Sequence, residues 1–391
     1  MSAPPDTGLT EAQPTGLYVH WPYCARVCPY CDFNVTRARG VDEDAWGTAF
    51  EADLAYLRDR YGPRPLVSLY LGGGTPSLMS PGLIGRLTTA ADRLFGLVPG
   101  AEVTLEANPG DVDEGALAAW RAAGVNRLSL GVQSFEDSQL AFLGRNHDGA
   151  AARRAVDLTL AAFERSTFDL IYALPGEGVA AWEARLRDAL ATGARHLSLY
   201  QLTVEPGTAF ARAVSRGDWA PPSEALDADL YEATAAATTA AGLPPYEVSS
   251  HAVPGHEAVH NALYWRGSDW LAIGPGAHGR LTVPEERASG GRVATEGARA
   301  IGAYLGAGPP GRLREEALGP DEVLTEALAG GLRVTAGVEA ARLGPAGDAV
   351  LAAAAPLIAD GLLTRRDGRL AATPAGRLVL DAVTGALLAA V

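Results

Sequence analysis

Short apolar runs alternate with amphipathic stretches throughout the first half of the chain. The apolar runs predict six strands, at residues 16–20, 66–71, 102–107, 127–132, 167–172 and 196–202. The stretches between them have apolar residues at helical spacing and predict helices at 44–60, 81–95, 114–123, 149–163 and 179–191. Strand–helix units repeated in this way predict a parallel sheet joined by right-handed crossovers.

The number of units limits the architecture. Six strand–helix units are too few for a closed eight-stranded barrel. The pattern alone leaves a partly open barrel and a doubly wound open sheet as alternatives. In either fold, ligands bind at the carboxyl ends of the strands, so we expect the polar residues that follow the strands to lie together.

The regular alternation weakens in the second half. A helix is predicted at 224–241, a strand at 246–249 and a loop rich in Gly, Arg and Glu at 284–297, before a Gly-Pro-Pro-Gly break at 308–311. Beyond the break, segments at 320–328, 338–343, 346–360, 362–369 and 374–391 read as helices and a hairpin, which is typical of a small winged-helix-like α+β domain. We therefore divide the chain into a disordered tail (1–15), a barrel that carries the site (16–235), a barrel extension (236–307) and a C-terminal domain (308–391).

Charge and hydropathy exclude some functions. The net charge is −14 with histidine neutral, which disfavours binding to nucleic acids or to anionic membranes. No apolar run approaches the roughly 20 residues of a membrane span, and residues 1–15 lack the basic start and apolar core of a signal peptide. We expect a cytoplasmic protein.

The chain has only three cysteines, and all three lie within eight residues as Cys24-x3-Cys28-x2-Cys31. An odd number of thiols in one short segment does not suit a disulfide framework, whereas thiolates suit iron–sulfur clusters and zinc. Zinc sites usually have four ligands, and only His20 is near enough in sequence to be the fourth. A [4Fe–4S] cluster held by three thiolates instead keeps one iron open for another ligand, and we favour the cluster.

Residues 17–33, LYVHWPYCARVCPYCDF, resemble the cluster loop of radical S-adenosylmethionine (SAM) enzymes. More narrowly, they resemble the oxygen-independent coproporphyrinogen III dehydrogenases and the related HemW-type haem chaperones. The resemblance implies a partial (β/α)6 barrel, a [4Fe–4S] cluster on Cys24, Cys28 and Cys31, and SAM bound to the fourth iron. In that superfamily, reduction cleaves SAM to a 5′-deoxyadenosyl radical.

The same resemblance implies a set of SAM-binding residues, most of which follow predicted strands. A glycine turn offers close backbone approach to a ligand, and Glu106 could accept hydrogen bonds from ribose hydroxyls. Family positions for SAM, or for a second SAM molecule, match Tyr18, Gly72, Gly73, Gly74, Thr75, Glu106, Gln133, Arg145 and Asp169. Whether one or two SAM molecules bind stays open.

The segment His260-Asn261-Ala262-Leu263-Tyr264-Trp265 resembles the His-Asn-x-x-Tyr-Trp motif of HemW-type chaperones. Neutral imidazole is a good axial ligand for haem iron, and the aromatic side chains of Tyr264 and Trp265 could contact the macrocycle. Two alternatives remain from the residues themselves. One is a core histidine among packing aromatics, and the other is a metal site built from His251, His256 and His260.

Departures from the dehydrogenase pattern favour the chaperone. The dehydrogenases carry a further cysteine two positions after the third cluster cysteine, where this chain has Phe33, and they have a longer segment before the cluster. Many chaperones have a cysteine just before the His-Asn motif, whereas this chain has Glu257-Ala258-Val259, which excludes a thioether attachment there.

The sequence therefore predicts a haem chaperone that binds haem, a [4Fe–4S] cluster and SAM and passes haem to an acceptor protein. A membrane-associated acceptor and a homodimer are left open. The alternatives are a coproporphyrinogen III dehydrogenase that decarboxylates propionates by radical chemistry, and a radical enzyme acting on a substrate other than a porphyrin.

Overall fold

The computed structural model describes residues 14–391. Of the tail expected at 1–15, residues 1–13 lie outside the described residues. Thr15 already begins the first strand, and it pairs with strands on both of its sides. The strand is therefore one residue longer at its start than the apolar pattern indicated.

All six strands predicted for the first half are present. Two short additional strands lie in the cysteine segment and pair with each other in parallel. In chain order the strands are β1 (Thr15–Trp21), β2 (Tyr23–Cys24), β3 (Thr36–Arg37), β4 (Leu66–Gly73), β5 (Leu97–Ala107), β6 (Arg127–Gln133), β7 (Arg165–Tyr172) and β8 (His196–Gln201).

Eight helices accompany these strands in the described part of the chain, and all but the two short ones at 137–142 and 209–215 were predicted. They are α1 (Glu43–Tyr61), α2 (Pro81–Phe95), α3 (Glu114–Ala122), α4 (Asp137–Phe142), α5 (Gly149–Ala162), α6 (Val179–Leu190), α7 (Ala209–Ser215) and α8 (Glu224–Ala240). Several begin at a side chain that accepts a hydrogen bond from a backbone N–H of the first turn, as Asp42, Ser80 and Asp148 do. Such caps satisfy donors that have no partner within the helix and fix where it starts. Short 3-10 helices cover Pro76–Leu78, Pro109–Asp111 and Ala340–Ala346.

The six strands of the repeat lie side by side in chain order, β1-β4-β5-β6-β7-β8, and every neighbouring pair is parallel. A doubly wound sheet would change direction at a switch point within this series. The strand order therefore confirms the barrel-type arrangement, and the sheet does not close on itself. The core consists of the apolar residues of these strands and of the helices packed against them, including Leu17, Phe50, Leu69 and Trp182.

The second half of the chain extends this sheet. Its elements are β9 (Ser250–Ala252), α9 (Val259–Arg266), β10 (Asp269–Ile273), β11 (His278–Thr282), β12 (Arg292–Gly297), α10 (Ile301–Gly306), α11 (Pro309–Arg312) and β13 (Leu313–Leu318). β9 pairs antiparallel with β8 at one edge. β10 pairs in parallel with β1, and β11, β12 and β13 follow it antiparallel to the other edge.

Two predictions for this region are wrong. The strand expected at 246–249 lies instead at Ser250–Ala252, because these three buried residues pair with β8. The loop expected at 284–297 ends in the strand Arg292–Gly297, whose polar composition hides its pairing with β11 and β13. β13 lies beyond the domain boundary expected at 308 and yet belongs to the large sheet, so that sheet ends at Leu318.

A small α+β domain follows the sheet. It consists of α12 (Pro320–Gly331), β14 (Val338–Glu339), α13 (Gly347–Ala359), β15 (Leu363–Arg366), β16 (Arg369–Ala372), α14 (Pro374–Leu378) and α15 (Leu380–Leu388). Leu328, Val350, Leu370 and Leu387 form part of its own core. The order of helices and hairpin matches the winged-helix-like prediction. No helix in residues 14–391 is long and apolar enough to span a membrane.

A buried ion pair ties the segment before β13 to the barrel. The Arg312 Nε donates to Asp53 Oδ1 at 2.6 Å, and the Tyr304 hydroxyl donates to the other oxygen of Asp53. The arginine also donates to the carbonyl of Ala49 in α1 at 2.9 Å. Because Asp53 is 0% exposed and Arg312 is 4% exposed, each charge depends on the other.

We expect Arg312→Met to lower the free energy of unfolding by about 3–5 kcal/mol, because it leaves the Asp53 carboxylate buried without its cation. Chemical denaturation followed by circular dichroism measures this loss. The matched control is Arg314→Met, which removes an exposed arginine that pairs with Glu316 and should change the free energy by about 0–1 kcal/mol. Equal losses in the two variants would contradict the assignment of the buried pair.

Candidate functional site

A cavity of about 560 Å³ lies at the carboxyl ends of the parallel strands. Its volume is in the range of pockets that bind small molecules, about 300–1,000 Å³. The walls come from the cysteine segment, from the ends of β4 to β8 and from one residue of the C-terminal domain, Arg333. The predicted site residues that line it are Cys24, Cys28, Cys31, Gly73, Gly74, Thr75, Glu106, Gln133, Arg145 and Asp169.

The cysteine loop, residues 24–31, is held at both ends. Cys24 ends β2 and pairs with Arg37 of β3, and the backbone N–H of Cys31 donates to the carbonyl of Cys28 at 3.2 Å. The carbonyl of Pro29 accepts from the N–H of Phe210 in α7 at 3.0 Å, which fixes the middle of the loop against the barrel. The three thiols therefore face one cavity from a loop of defined shape.

The arrangement of the thiols distinguishes a cluster from a single metal ion. Among residues 14–391, no three His, Cys, Asp or Glu side chains converge on one point as ligands of a single ion would. A cubane cluster takes each thiolate on a different iron, so its ligands stand farther apart than those of zinc. His20, the fourth zinc ligand considered above, has both ring nitrogens hydrogen-bonded at 3.0 Å, to the Tyr18 hydroxyl and to the Asn34 carbonyl. Three thiols facing one cavity, with both nitrogens of His20 engaged elsewhere, fit a cluster held by the three cysteines.

Each cysteine sulfur has a hydrogen-bond donor near it. Burial raises the pKa of the Cys24 thiol, and a hydrogen bond from Thr75 opposes the shift. Burial also raises the pKa of Cys31 to about 11, opposed by the backbone N–H of Phe33. The Cys28 sulfur accepts from Arg145 Nη1 at 3.4 Å. Donors of this kind stabilise the thiolate form that binds iron.

The glycine turn after β4 requires small residues because it lies against the cysteine segment. Gly73 has a φ of +112°, and a Cβ there would lie 2.6 Å from the imidazole of His20. A Cβ on Gly74 would lie 2.5 Å from the carbonyl oxygen of Tyr23. The close approach places the backbone of the turn beside the cysteine loop.

Two carboxyl groups lie in the inner wall of the cavity. Glu106 Oε1 accepts from the Tyr70 hydroxyl at 2.8 Å, and its Oε2 accepts from the N–H of Gly73 at 3.0 Å. Burial raises the pKa of Glu106 to about 7 and that of Asp169 to about 6. Because a positive ligand prefers ionised carboxylates, these groups can bind a cation with an affinity that depends on pH.

Arg145 and Gln133 complete the wall nearest the cysteines. Arg145 Nη2 donates to the carbonyl of Gly131 at 2.9 Å and to the Asn108 side chain. Gln133 has a positive φ of 66° at the end of β6, where the pairing with β7 shifts register. A non-glycine residue in this conformation is strained, and such strain is found mostly at functional sites.

Two of the predicted residues lie outside the cavity wall. Tyr18 and Gly72 are not among the residues that line it. The Tyr18 hydroxyl shares a hydrogen bond with His20, and the Tyr18 ring packs 6.2 Å from the ring of Tyr70, in the barrel interior. Tyr18 therefore supports the floor below the cavity.

The His-Asn-x-x-Tyr-Trp segment forms α9, toward the amino ends of the strands, and does not line the cavity. His260 is 1% exposed, and its backbone N–H donates to Glu102 at 3.2 Å. Its Nδ1 shares a hydrogen bond with Ser68 at 2.8 Å and its Nε2 shares one with Tyr264 at 2.6 Å. Burial lowers the pKa of His260 to about 3, so the ring is neutral. Both nitrogens are engaged, which is the arrangement of a core histidine.

The other aromatic residue of the motif faces the C-terminal domain. The guanidinium of Arg333 lies 4.7 Å from the ring centroid of Trp265, and Asn261, Tyr264 and Trp265 are half-buried. The alternative metal site is not formed: His251 is hydrogen-bonded to Thr238, His256 contacts Arg195, and no group of metal-binding side chains converges in the described part of the chain.

Several cavity residues were missed by the sequence reading. The sequence could have indicated Asn108, because this polar residue follows Glu106 at the end of a predicted strand. Tyr30 lies inside the cysteine segment and was overlooked because tyrosine binds neither iron–sulfur clusters nor zinc. Tyr200 and Arg333 have no local signal, since only the tertiary structure brings β8 and the C-terminal domain to the cavity.

Comparisons with known proteins agree with this geometry. The radical SAM superfamily matches residues 18–189, and the HemN C-terminal domain matches 318–379. The heme chaperone HemW of Mycobacterium tuberculosis is 37% identical over 399 residues, covering 98% of this chain and 97% of that protein. The chain belongs to the HemW family. The HemW of Escherichia coli is 39% identical over 285 residues, covering 71% of this chain and 73% of that protein.

A solved structure shows the same fold for the other branch considered above. Coproporphyrinogen III oxidase (HemN) from Escherichia coli has a TM-score of 0.79 at 23% identity, covering 96% of this chain and 90% of that one. As a member of the HemW family within the radical SAM superfamily, the chain has the cofactors of that superfamily, a [4Fe–4S] cluster and SAM.

We expect anaerobic reconstitution with iron and sulfide to give cluster absorption in the wild type and none in the Cys24→Ala/Cys28→Ala/Cys31→Ala variant, because no other cysteine is present to replace the lost ligands. Iron and sulfide content measured on the same samples checks the absorption. Full cluster content in the triple variant would contradict the assignment.

We expect the affinity of the cluster-loaded protein for SAM to fall as the pH is lowered from about 8 to about 5. The ligand is cationic, and Glu106 and Asp169 lose their negative charge as the pH falls through about 7 and about 6. Affinity can change by up to about tenfold per pH unit for each carboxyl that must ionise. Calorimetric titration measures it, and Glu106→Gln should flatten the upper part of the profile. A flat wild-type profile would contradict this expectation.

Proposed function

We propose that the protein is a haem chaperone, which binds haem and delivers it to an acceptor protein. The observation that carries the proposal is the similarity to a heme chaperone HemW over 98% of this chain and 97% of that protein. The cavity supports it with a loop of three cysteines and, at the position of the dehydrogenases' further cysteine, a phenylalanine. Phe33 is 63% exposed at the cavity mouth.

In this proposal Cys24, Cys28 and Cys31 hold the cluster. The cluster would supply an iron with an open position for the amino and carboxylate groups of SAM. Gly73 and Gly74 allow the backbone to approach that ligand, and Glu106 and Asp169 offer negative charge to it. The chain thus positions the ligand and offers negative charge to it.

The proposed haem site is the motif of α9, with His260, Asn261, Tyr264 and Trp265. For an axial bond, His260 Nε2 must give up its hydrogen bond to Tyr264. α9 packs between β4 and α12 of the C-terminal domain, so haem could reach His260 only if α9 moved. Haem binding would then be a local rearrangement of the motif rather than occupation of a preformed pocket.

Further properties belong to the same proposal. We place the protein in the cytoplasm, with haem and a haem-acceptor protein as partners. An acceptor at a membrane would be met through protein contacts, since a net charge of −14 is repelled by anionic lipids.

A second candidate function is oxidative decarboxylation of coproporphyrinogen III. It is favoured by one observation, the presence of Gln133, Arg145 and Asp169 together in the cavity wall, where dehydrogenases hold a second SAM. Anaerobic incubation with SAM, a reductant and coproporphyrinogen III distinguishes the two functions. Formation of vinyl groups would favour the enzyme, and unchanged substrate would favour the chaperone.

Haem titration of the anaerobically reconstituted protein tests the proposed function. We expect one haem per chain, and about tenfold weaker binding for His260→Ala, which corresponds to about 1.4 kcal/mol. Tyr264→Phe should instead strengthen binding several-fold, because it removes a competing hydrogen bond of about 1 kcal/mol. The Soret band reports the binding and the axial ligand.

The matched control is His251→Ala, because His251 is a similarly buried histidine that is hydrogen-bonded to Thr238 and lies outside the motif. It should leave haem affinity at the wild-type value. Equal losses of affinity in the two histidine variants would show that haem does not bind at the motif. Absence of specific haem binding to the wild type would contradict the proposed chaperone function.

A further inference from the structure

The donors that face the three cysteine sulfurs differ in charge. Cys24 lies beside the hydroxyl of Thr75, and Cys31 lies beside the backbone N–H of Phe33, and both of these donors are neutral. Cys28 accepts from the guanidinium of Arg145, with Nη1 and Sγ 3.4 Å apart, and from the neutral hydroxyl of Tyr30. Of these contacts, only the one with Arg145 places a full positive charge directly against a sulfur.

The guanidinium of Arg145 is held by neutral oxygens. Nη2 donates to the carbonyl of Gly131 at 2.9 Å and to the side chain of Asn108, which come from the ends of two different strands. The Nε atom is buried and has no hydrogen-bond partner. Among the ion pairs formed within residues 14–391, none joins Arg145 to a carboxylate, although Arg127, Arg185 and Arg312 all have one. The groups beside it that are able to carry negative charge are the phenol of Tyr30 and the Cys28 sulfur, and of these only the sulfur is a cluster ligand. The carboxyls of Asp111 and Asp169 interact with Arg145 without forming an ion pair.

A buried cation without a carboxylate is unfavourable unless another anion balances it. An iron–sulfur cluster on three thiolates is such an anion, and it becomes more negative when it is reduced. Hydrogen bonds to the sulfurs and nearby charges are the means by which a protein sets the reduction potential of a cluster. Arg145 supplies both at one sulfur.

We propose that Arg145 is a positioning residue that sets the reduction potential of the cluster through the sulfur of Cys28. It stabilises the [4Fe–4S]¹⁺ state, which forms when the [4Fe–4S]²⁺ cluster takes one electron from an external reductant, with no bond made or broken. The residue thereby makes the cluster a weaker reductant. This inference rests on the cluster assignment within the proposed function, and it gives Arg145 a role other than the expected contact with SAM.

The test is a redox titration of reconstituted protein without SAM, with dithionite as reductant and the reduced cluster followed by electron paramagnetic resonance. Arg145→Gln, with the iron content verified, should have a more negative midpoint potential than the wild type. Asn108→Ala removes an acceptor that holds the guanidinium and changes no charge, so it should shift the potential in the same direction by less.

The matched control is Arg37→Gln, the same substitution at an exposed arginine that pairs through its backbone with Cys24. Its potential should equal that of the wild type, because solvent screens an exposed charge. A wild-type potential in both Arg145→Gln and Asn108→Ala, or an equal shift in Arg37→Gln, would overturn the inference. If the Arg145→Gln variant binds no cluster, the midpoint potential of Asn108→Ala alone tests the inference.

Affinity for SAM separates this role from direct binding. If Arg145 acts only on the SAM carboxylate, Arg145→Gln weakens SAM binding and leaves the potential measured without SAM unchanged, which overturns the inference. The cluster assignment itself fails separately, since wild-type protein that binds no iron would refute it whatever Arg145 does.

Discussion

The site depends on the close contact between the glycine turn after β4 and the backbone at the end of β1. The N–H of Gly74 donates to the carbonyl of Trp21 at 2.7 Å, and the N–H of Thr75 donates to the carbonyl of Tyr23 at 2.8 Å. These bonds continue the parallel pairing of β1 with β4 past the end of the regular strands. They fix the start of the cysteine loop relative to the turn, and a side chain larger than hydrogen would separate the two. The other walls of the cavity lie around this contact between the glycine turn and the cysteine loop.

The interior of the barrel connects this site with the motif of α9. Tyr70 donates its hydroxyl to Glu106 in the cavity wall, and its ring stacks on the imidazole of His260 with centroids 4.9 Å apart. Only one side chain therefore separates the carboxylate of the cavity from the histidine of the motif. Because interiors are close-packed, a shift of α9 that freed His260 would be felt at Tyr70 and hence at Glu106.

Local sequence patterns predicted those elements of the fold that neighbouring residues determine. The parallel strands, their helices and the cysteine loop follow from apolar periodicity and from residue chemistry, and the carboxyl-end rule correctly grouped Glu106, Gln133 and Asp169. β12 was missed because its charged residues pair within a sheet whose partners lie before and after it in the chain. The position of α9 could not be predicted from local patterns either. The residues around His260 in the sequence do not show that Ser68 and Tyr264 form hydrogen bonds with both nitrogens of its ring.

Arg333 shows how the C-terminal domain takes part in the cavity. It lines the cavity, donates from Nε to Glu247 at 2.9 Å and lies over Trp265. Glu247 is only 2% exposed, so its charge is balanced across the junction between the two folding units. Exchanging the C-terminal domain with that of a relative would therefore alter the pocket wall, the motif helix and a buried carboxylate together. The barrel and the C-terminal domain match separate family models, but a change on either side of this junction alters the contacts of the other.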